Sequence, residues 1–583
     1  MTQTDASIDP DPYQPQFSSL CNLTSFVVNS SEMINIFWEL TPSEASVLCS
    51  LLTSGSEISR LVVPFELPPG TGAQLGSAIL AAASTIRALL LGNYDAPACD
   101  PAPELFRMLT ASANPTLEKL HMENLLIDDS SKCASFDKFA ALRYLVVFAN
   151  KPCERCISSL AARVGKLQAL ESLRISGIAF HDSDAEALAA ALKDLPLLNE
   201  LWIPNAELGE KGGQSIGSLV ALRRILNLDL SRNMLRDKWV SEMVDAILSS
   251  HQRSSCALEV LDLGENEIGP AGGEKLKELI RHSPYLQTLI LWSNPLGDMF
   301  HPQPNAAVAQ FPLEKLGIGF CNLGLGGIES MLGAFPALSE IDIGHNDAGD
   351  PGAHAVAQYT IVSGWRRLKK LKMFGNNVTV AGARELAKAF LKAYKLQEID
   401  LVGNPIGPGG AAAVMDALAT ASTEPMISLE FSGCGIEDVG AKAVGRLITR
   451  RDCWSVFLDG NCIYAEGARA IADSVAASAY IMQKLDVSSN PLGDEGVRYL
   501  LDSILAARPS QSRGVRELDI TKTNMGLKGA MAVGRAVMET QGVLSVLNVS
   551  EESGDKVIDK IVGQLEMLER DLKPWGTPIL SLL

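Results

Sequence analysis

Leucine-type residues along this chain follow the spacing L-x-x-L-x-L-x-x-N-x-L, and the block returns about every 28 residues. It is written most fully at Leu258, Leu261, Leu263, Asn266 and Ile268, and again at Leu286, Leu289, Leu291, Asn294 and Leu296. Inside each block the x-L-x-L-x segment alternates with period two, which predicts a short strand with two side chains turned inward. A Gly-rich turn follows the Asn. An Ala-rich stretch at helical spacing comes next, as at 381–390 and 466–472, and predicts a helix of about 10 to 12 residues.

The second leucine-type position of successive blocks falls at Leu61, Leu89, Leu120, Leu145, Leu173, Leu201, Leu228, Leu261, Leu289, Leu316, Ile341, Leu371, Ile399, Leu429, Val456, Leu485, Leu518 and Leu547. That makes roughly 18 units, the first three and the last weakly written, as terminal repeats are. One unit cannot bury its own apolar face, but stacked units can. The expected fold is therefore an α/β solenoid with a parallel sheet on one side and helices on the other. Strands stack about 4.8 Å apart while helices need about 10 Å, so the stack is expected to curve into a horseshoe with the sheet on its concave face.

The solenoid is expected over 56–550. The segment 1–55, with a candidate helix over Ser43–Leu52, is either an N-terminal cap or a separate docking element. Over 551–583, Val557, Ile558, Ile561, Val562, Leu565 and Leu568 fall at helical spacing and predict a C-terminal capping helix and tail. Met299–Pro312 breaks the helix pattern with an irregular loop, either a contact site or a degenerate repeat.

Two further regularities fix the register. Asn150, Asn233, Asn266, Asn294, Asn346, Asn376, Asn404, Asn461 and Asn490 form a ladder, with Cys321, Cys434 and Thr523 taking the same place in other units. A buried amide there satisfies backbone groups of the turn leaving the strand. Gly212, Gly272, Gly327, Gly352, Gly382, Gly410, Gly440, Gly467, Gly496 and Gly529 recur where each helix begins. Their missing Cβ is expected to let helix and strand backbones approach closely.

Composition narrows the setting. At 583 residues the chain is too long for one ordinary core, a limit a solenoid escapes because each repeat packs only on its neighbours. No apolar run is long enough for a membrane span, and the first residues lack the pattern of a signal peptide, so a cytoplasmic, intracellular setting is expected. Eleven irregularly spaced cysteines fit reduced core thiols. A net charge of −18 disfavours nucleic acid and anionic lipid and favours a basic partner, or serves solubility alone.

Catalytic or metal chemistry is not written in the chain. Cys153 and Cys156 form a lone C-x-x-C without the second pair zinc needs, and the scattered histidines accompany no nucleophile motif. No enzyme, metal or cofactor is expected.

The face of the strands opposite the buried leucines is more telling. Between the two leucine positions stand Asp229, Asp262, Asp342, Asp400, Glu430, Asp486 and Asp519, an expected acidic column. Trp292, Phe320 and Phe374 follow just after the strands, while Trp202 and Phe457 take the middle position. Aromatics beside carboxylates suit a partner offering Arg or Lys, although an Asp in such strands is also a habit of the repeat. Lys369, Lys370 and Lys372, preceded by Arg366 and Arg367, form a basic cluster that either contacts a partner carboxylate or, the preferred reading, pairs with Asp342 and Asp400 on neighbouring strands.

The long repeat, the Asn ladder and the G-x-x-G-A-x-x-[IL]-A helix signature resemble the ribonuclease-inhibitor-like leucine-rich repeats. That class includes ribonuclease inhibitors, the repeat domains of NOD-like receptors and the Ran GTPase activators. The chain departs from each. It lacks the inhibitors' two alternating repeat types and their cysteine richness. It has no G-x-x-x-x-G-K-[ST] nucleotide loop, and its end has mixed charge rather than an acidic tail. The resemblance implies the architecture and leaves the function open among three readings. The first is a non-enzymatic scaffold or adaptor binding a partner protein on the concave face through Trp202, Trp292, Phe320, Phe374, Phe457 and the aspartates. The others are a GTPase activator of the Ran-activator type and a sensor subunit of the NOD-like receptor type.

Overall fold

The computed structural model describes residues 26–30, 33–36, 42–53, 59–63, 71–82, 85–91, 116–123, 139–148, 156–180, 182–208, 212–222, 225–250, 256–297, 313–335, 337–361, 367–421, 424–506, 514–539, 544, 546–549 and 579–581. Asn150, Cys153, the 299–312 loop and the expected helix over 555–572 lie outside the described residues. The described residues fall into two compact units, one running up to Cys434 and the other from Gly435 onward.

In the first unit an antiparallel pair, Phe26–Ser30 with Met33–Ile36, opens the array. From Met33–Ile36 onward each strand pairs in parallel with the next, through to Met426–Glu430. The register partners are the indexed leucines themselves, from Leu61↔Leu89 to Ile399↔Leu429. The helix expected over Ser43–Leu52 runs Pro42–Thr53. In the second unit Cys453–Phe457, Ile481–Asp486, Gly514–Asp519, Val546–Asn548 and Ile579–Ser581 pair in the same manner, with Val456, Leu485, Leu518 and Leu547 in one row. Each unit is an α/β solenoid of strand–helix repeats.

Period-two burial produces this arrangement. In Val260–Asp262 the central Leu261 is wholly buried while its flanks are half-exposed, and the same pattern recurs in Lys315–Gly317, Glu340–Asp342 and Lys370–Lys372. The following helices bury an apolar side as well, such as Leu276, Leu279 and Ile280 on Pro270–Arg281. At about 25 cal/mol per Å², each such leucine stabilises the stack by about 1.5–3 kcal/mol, but only while the next repeat covers it.

The buried Asn side chains tie neighbouring turns together. Asn376 Oδ1 accepts the amides of Asn346 and Ala348 in the preceding repeat, at 3.0 and 3.1 Å. Its Nδ2 donates to Ile343 O and Met373 O at 2.8 and 3.0 Å. Asn266, Asn294 and Asn404 are arranged alike, and Asn490 repeats the pattern in the second unit. Asn233 accepts from Ala206 and donates to Ile203 O and Leu230 O, while Asn346 accepts from Cys321 and Asn461 from Ile436. Cys321 supplies the donor half through its thiol, which reaches Leu291 O at 3.1 Å, and its sulfur is only a weak acceptor; burial pushes that thiol up to about 12.

Four of the repeated glycines, Gly272, Gly382, Gly467 and Gly529, do a different job from the one expected. Gly382 faces not a strand but the carboxylate of Asp350 on the neighbouring helix, and a Cβ there would stand 2.5 Å from Asp350 Oδ1. Gly467 meets Asp438, Gly529 meets Asp494 and Gly272 meets Asp237 in the same way. The close approach is between helix ends, because each of these aspartates reaches across to the next helix's first turn.

Candidate functional site

The residue before each ladder position leaves the strand with a positive φ: Glu265 at 54°, Ser293 at 54°, Phe320 at 57°, His345 at 49° and Gly375 at 61°. This left-handed step suits glycine, which Gly375, Gly403 and Gly433 supply in successive repeats. Phe320 and His345 place rings at the same step, where a bulky residue is unfavourable. The step aims both rings off the open side of the sheet, and both are exposed, Phe320 by 41%.

Around Phe320 the aromatics of four consecutive repeats of the first unit converge. Its ring centroid lies 5.5 Å from that of Trp292, edge-on, and 5.9 Å from that of Phe374. His345 stacks on it at 4.1 Å, and His345 meets Phe374 edge-on at 5.3 Å. Glycine clears the floor beneath. A Cβ on Gly344 would overlap the Phe374 ring, and one on Gly375 would overlap the His345 ring. Contacts of this edge-on and stacked kind contribute about 0.5–1.5 kcal/mol each beyond their area.

The other aromatics stand apart from this cluster. Trp202 is covered by the molecule's own Arg174, whose guanidinium carbon lies 3.7 Å from the ring centroid. Phe457 belongs to the second unit, where Lys484 Nζ lies 5.8 Å from its ring.

The aspartates are half-committed to their own backbone. Asp229, Asp262, Asp342, Asp400 and Asp486 each accept, through Oδ1, the amide two residues on, at 2.9–3.1 Å. Asp400 is only 8% exposed, so it is buried and not a group offered to a partner as expected. Burial, joined by the Asp229 carboxylate on the adjoining strand, pushes Asp262 up to about 7. Burial, with Glu430 adding to it, pushes Asp400 up to about 6. Burial likewise raises Asp229, Asp342 and Asp486. The column is also interrupted, since Ile290 and Gly317 take the place between Asp262 and Asp342.

The basic cluster pairs with the expected aspartates through Lys372 and departs from the expectation at Lys370. Lys370 Nζ meets Glu398 Oε2 at 2.5 Å, one of a series of cross-strand pairs that includes Lys315–Glu340 at 3.0 Å. Lys372 stands in register between Asp342 and Asp400 and draws both carboxyls down against the effect of burial.

Neither His345, one of the scattered histidines, nor Arg174 stood out in the sequence. A signal existed for His345: it holds the place of Phe320 one repeat on, immediately before the ladder residue. Among the described residues no group of three His, Cys, Asp or Glu gathers at metal distance, and no helix is long and apolar enough to cross a membrane.

A family model described as leucine-rich repeat matches residues 254–277, 395–415, 425–445 and 482–501. The ribonuclease inhibitor of Sus scrofa is 24% identical over 394 residues, covering 65% of this chain and 76% of that protein. The ribonuclease inhibitor of Mus musculus is 24% identical over 439 residues, covering 65% and 89%. The NACHT, LRR and PYD domains-containing protein 5 of Bos taurus is 23% identical over 358 residues, covering 60% of this chain and 32% of that protein.

Proposed function

We propose that this chain, a leucine-rich-repeat protein of the ribonuclease-inhibitor-like class, is a non-enzymatic scaffold or adaptor of the cytoplasm that binds a basic partner protein on the open face of its sheet. A leucine-rich-repeat protein-interaction domain is the part of this reading that the family match carries. The finer part is supported by one observation above all. Trp292, Phe320, His345 and Phe374 form a single ring cluster, with Phe320 and His345 exposed and Trp292 and Phe374 half-buried, over a floor cleared by Gly344 and Gly375. Large aromatics gathered at one place, with polar strands around them, are the composition of an interface centre. The charge of −18 supports a basic partner through steering.

The test is crosslinking in cells with the full chain, identification of the neighbour, and measurement of its affinity for purified wild type and for the Trp292→Ala/Phe374→Ala pair. Loss of at least tenfold is expected, since interface-centre aromatics contribute about 2 kcal/mol or more each. Undiminished affinity in that pair moves the site elsewhere.

A further inference from the structure

The ring cluster has a more specific use, one that rests on reading the open face as the partner-binding surface. The molecule supplies its own example of the chemistry. Arg174, Trp202 and Asp229 stand side by side in register on three neighbouring strands. The Arg174 guanidinium lies over the Trp202 ring at 3.7 Å, with the Asp229 carboxylate one strand on. Guanidinium is planar and weakly hydrated, so it lies flat on a ring while keeping its edge donors for a carboxylate.

The same ingredients recur around Phe320 without the cation. Over the bare Cα of Gly319 the Trp292 ring and the Asp342 carboxylate converge: a Cβ there would stand 3.0 Å from Trp292 Cδ1 and 3.2 Å from Asp342 Oδ1. Among the described residues, cations lie over Tyr144, Trp202, Phe457 and Tyr499, and none lies over Trp292, Phe320 or Phe374. The charges nearby do not fill the gap. Lys315 and Lys370 are held by Glu340 and Glu398, and Lys372 is shared between Asp342 and Asp400.

We propose that the Trp292–Phe320–His345–Phe374 cluster, together with Asp342, receives an arginine side chain from a basic segment of the partner protein. The guanidinium packs on the exposed part of the Phe320 ring that His345 leaves uncovered, and the Asp342 carboxylate takes its edge. A lysine ammonium, a compact and strongly hydrated point charge, uses the same carboxylate but gains less from the ring.

The experiment measures fluorescence anisotropy of a labelled peptide of alternating glycine and arginine with the full chain at mildly alkaline pH. Matched lysine and citrulline peptides run beside it. The arginine peptide is expected to bind about tenfold more tightly than the lysine peptide, and the citrulline peptide weakest. Phe320→Leu, which keeps apolar bulk, is expected to abolish the preference for arginine, while Phe320→Tyr keeps it. Asp342→Asn, which retains the acceptor for the Gly344 amide, is expected to weaken arginine binding about tenfold. Equal binding of the arginine and lysine peptides, or a preference surviving Phe320→Leu, overturns the assignment. So does an equal loss in Asp486→Asn in the other unit, which would reduce the effect to bulk charge. If a crosslinked partner depends on Trp292 and Phe374 while no arginine preference exists, the binding face stands and only the arginine assignment falls. A partner indifferent to those two residues removes the face itself.

Discussion

Asp350 Oδ1 accepts the amide of Gly382 at 2.9 Å, so a carboxylate in the first turn of one helix caps the helix of the next repeat. The same carboxylate takes the Thr379 amide at 2.7 Å and its hydroxyl at 2.6 Å. Asp438 caps Tyr464 and Gly467 likewise, and Asp494 caps Gly526 and Gly529. An anion at a helix N-terminus meets unsatisfied amides and the positive end of the helix dipole. Repeat-to-repeat cohesion thus has a charged component on the helix side, beside the Asn amides at the strand side.

Asp350→Ala is expected to destabilise the chain by about 1–2 kcal/mol, the usual loss on removing a side-chain cap, and Asp350→Asn by less. Urea unfolding followed by far-UV circular dichroism measures it. Burial raises the Asp350 carboxyl, but its bonds to the Thr379 hydroxyl and to the Thr379 and Gly382 amides outweigh that and hold it below the usual carboxylate range. Its contribution is therefore present above the unfolded carboxyl range and is lost as pH falls through the lowered native one. The Asp350→Ala penalty is expected to shrink on acidification. A penalty that grows there refutes the cap.

Asn376→Leu is expected to cost at least about 3 kcal/mol, because it strands two amides and two carbonyls at a wholly buried place. Asn376→Cys, copying what Cys321 does in its own repeat, is expected to cost less, since the thiol still reaches a carbonyl. Thermal melts of the two variants decide the order. Equal losses would show that volume, not hydrogen bonding, governs the position.

Asp262→Asn is expected to stabilise the chain at and above neutral pH by on the order of 1–3 kcal/mol. The Asp262 carboxyl is pushed up to about 7 by burial and by Asp229, so the folded state holds its proton more tightly than the unfolded chain does. That contribution is complete below the unfolded carboxyl pKa of about 4 and fades as pH rises through about 7. Stability of wild type against pH, compared with Asp262→Asn, is the measurement. A variant curve parallel to wild type across that window rejects the raised carboxyl.

Gly344→Ala is expected to push the Phe374 ring from its seat, because the added methyl has no room beside it. The expected cost is about 1–3 kcal/mol, with altered near-ultraviolet circular dichroism from the ring cluster. The change at Gly326, where a Cβ meets nothing within 4 Å, serves as the comparison and should leave the aromatic signal unchanged. Identical spectra for the two variants would mean the rings are not seated on Gly344.

Much of this was legible in the sequence because one spacing rule is repeated. A leucine at Leu261 or Leu371 has no use except burial, and period-two alternation leaves one way to bury it. The amide ladder was legible for the same reason, since a polar residue held at a core position must carry bonds for the backbone. The cap was half legible: Asp350, Asp438 and Asp494 each stand two places before a repeat glycine, but nothing local says that the carboxylate serves a different helix some thirty residues on. The open face was least legible. Asp229, Asp262 and Asp400 read alike, yet burial and neighbouring charges separate them, leaving Asp400 enclosed and Asp262 half-protonated near neutrality.

The order and pairing of the strands, and which side of each is buried, were determined by the sequence alone, because those follow from periodicity within about 28 residues. Only the tertiary structure decided that four rings from successive repeats touch while Trp202 lies under Arg174. It also decided that Lys370 pairs with Glu398 and not with an aspartate. Such contacts depend on rotamers, on a left-handed step at Phe320 and His345, and on the room left by glycines in other repeats. These are distances between side chains some thirty residues apart, and no spacing rule along a chain encodes them.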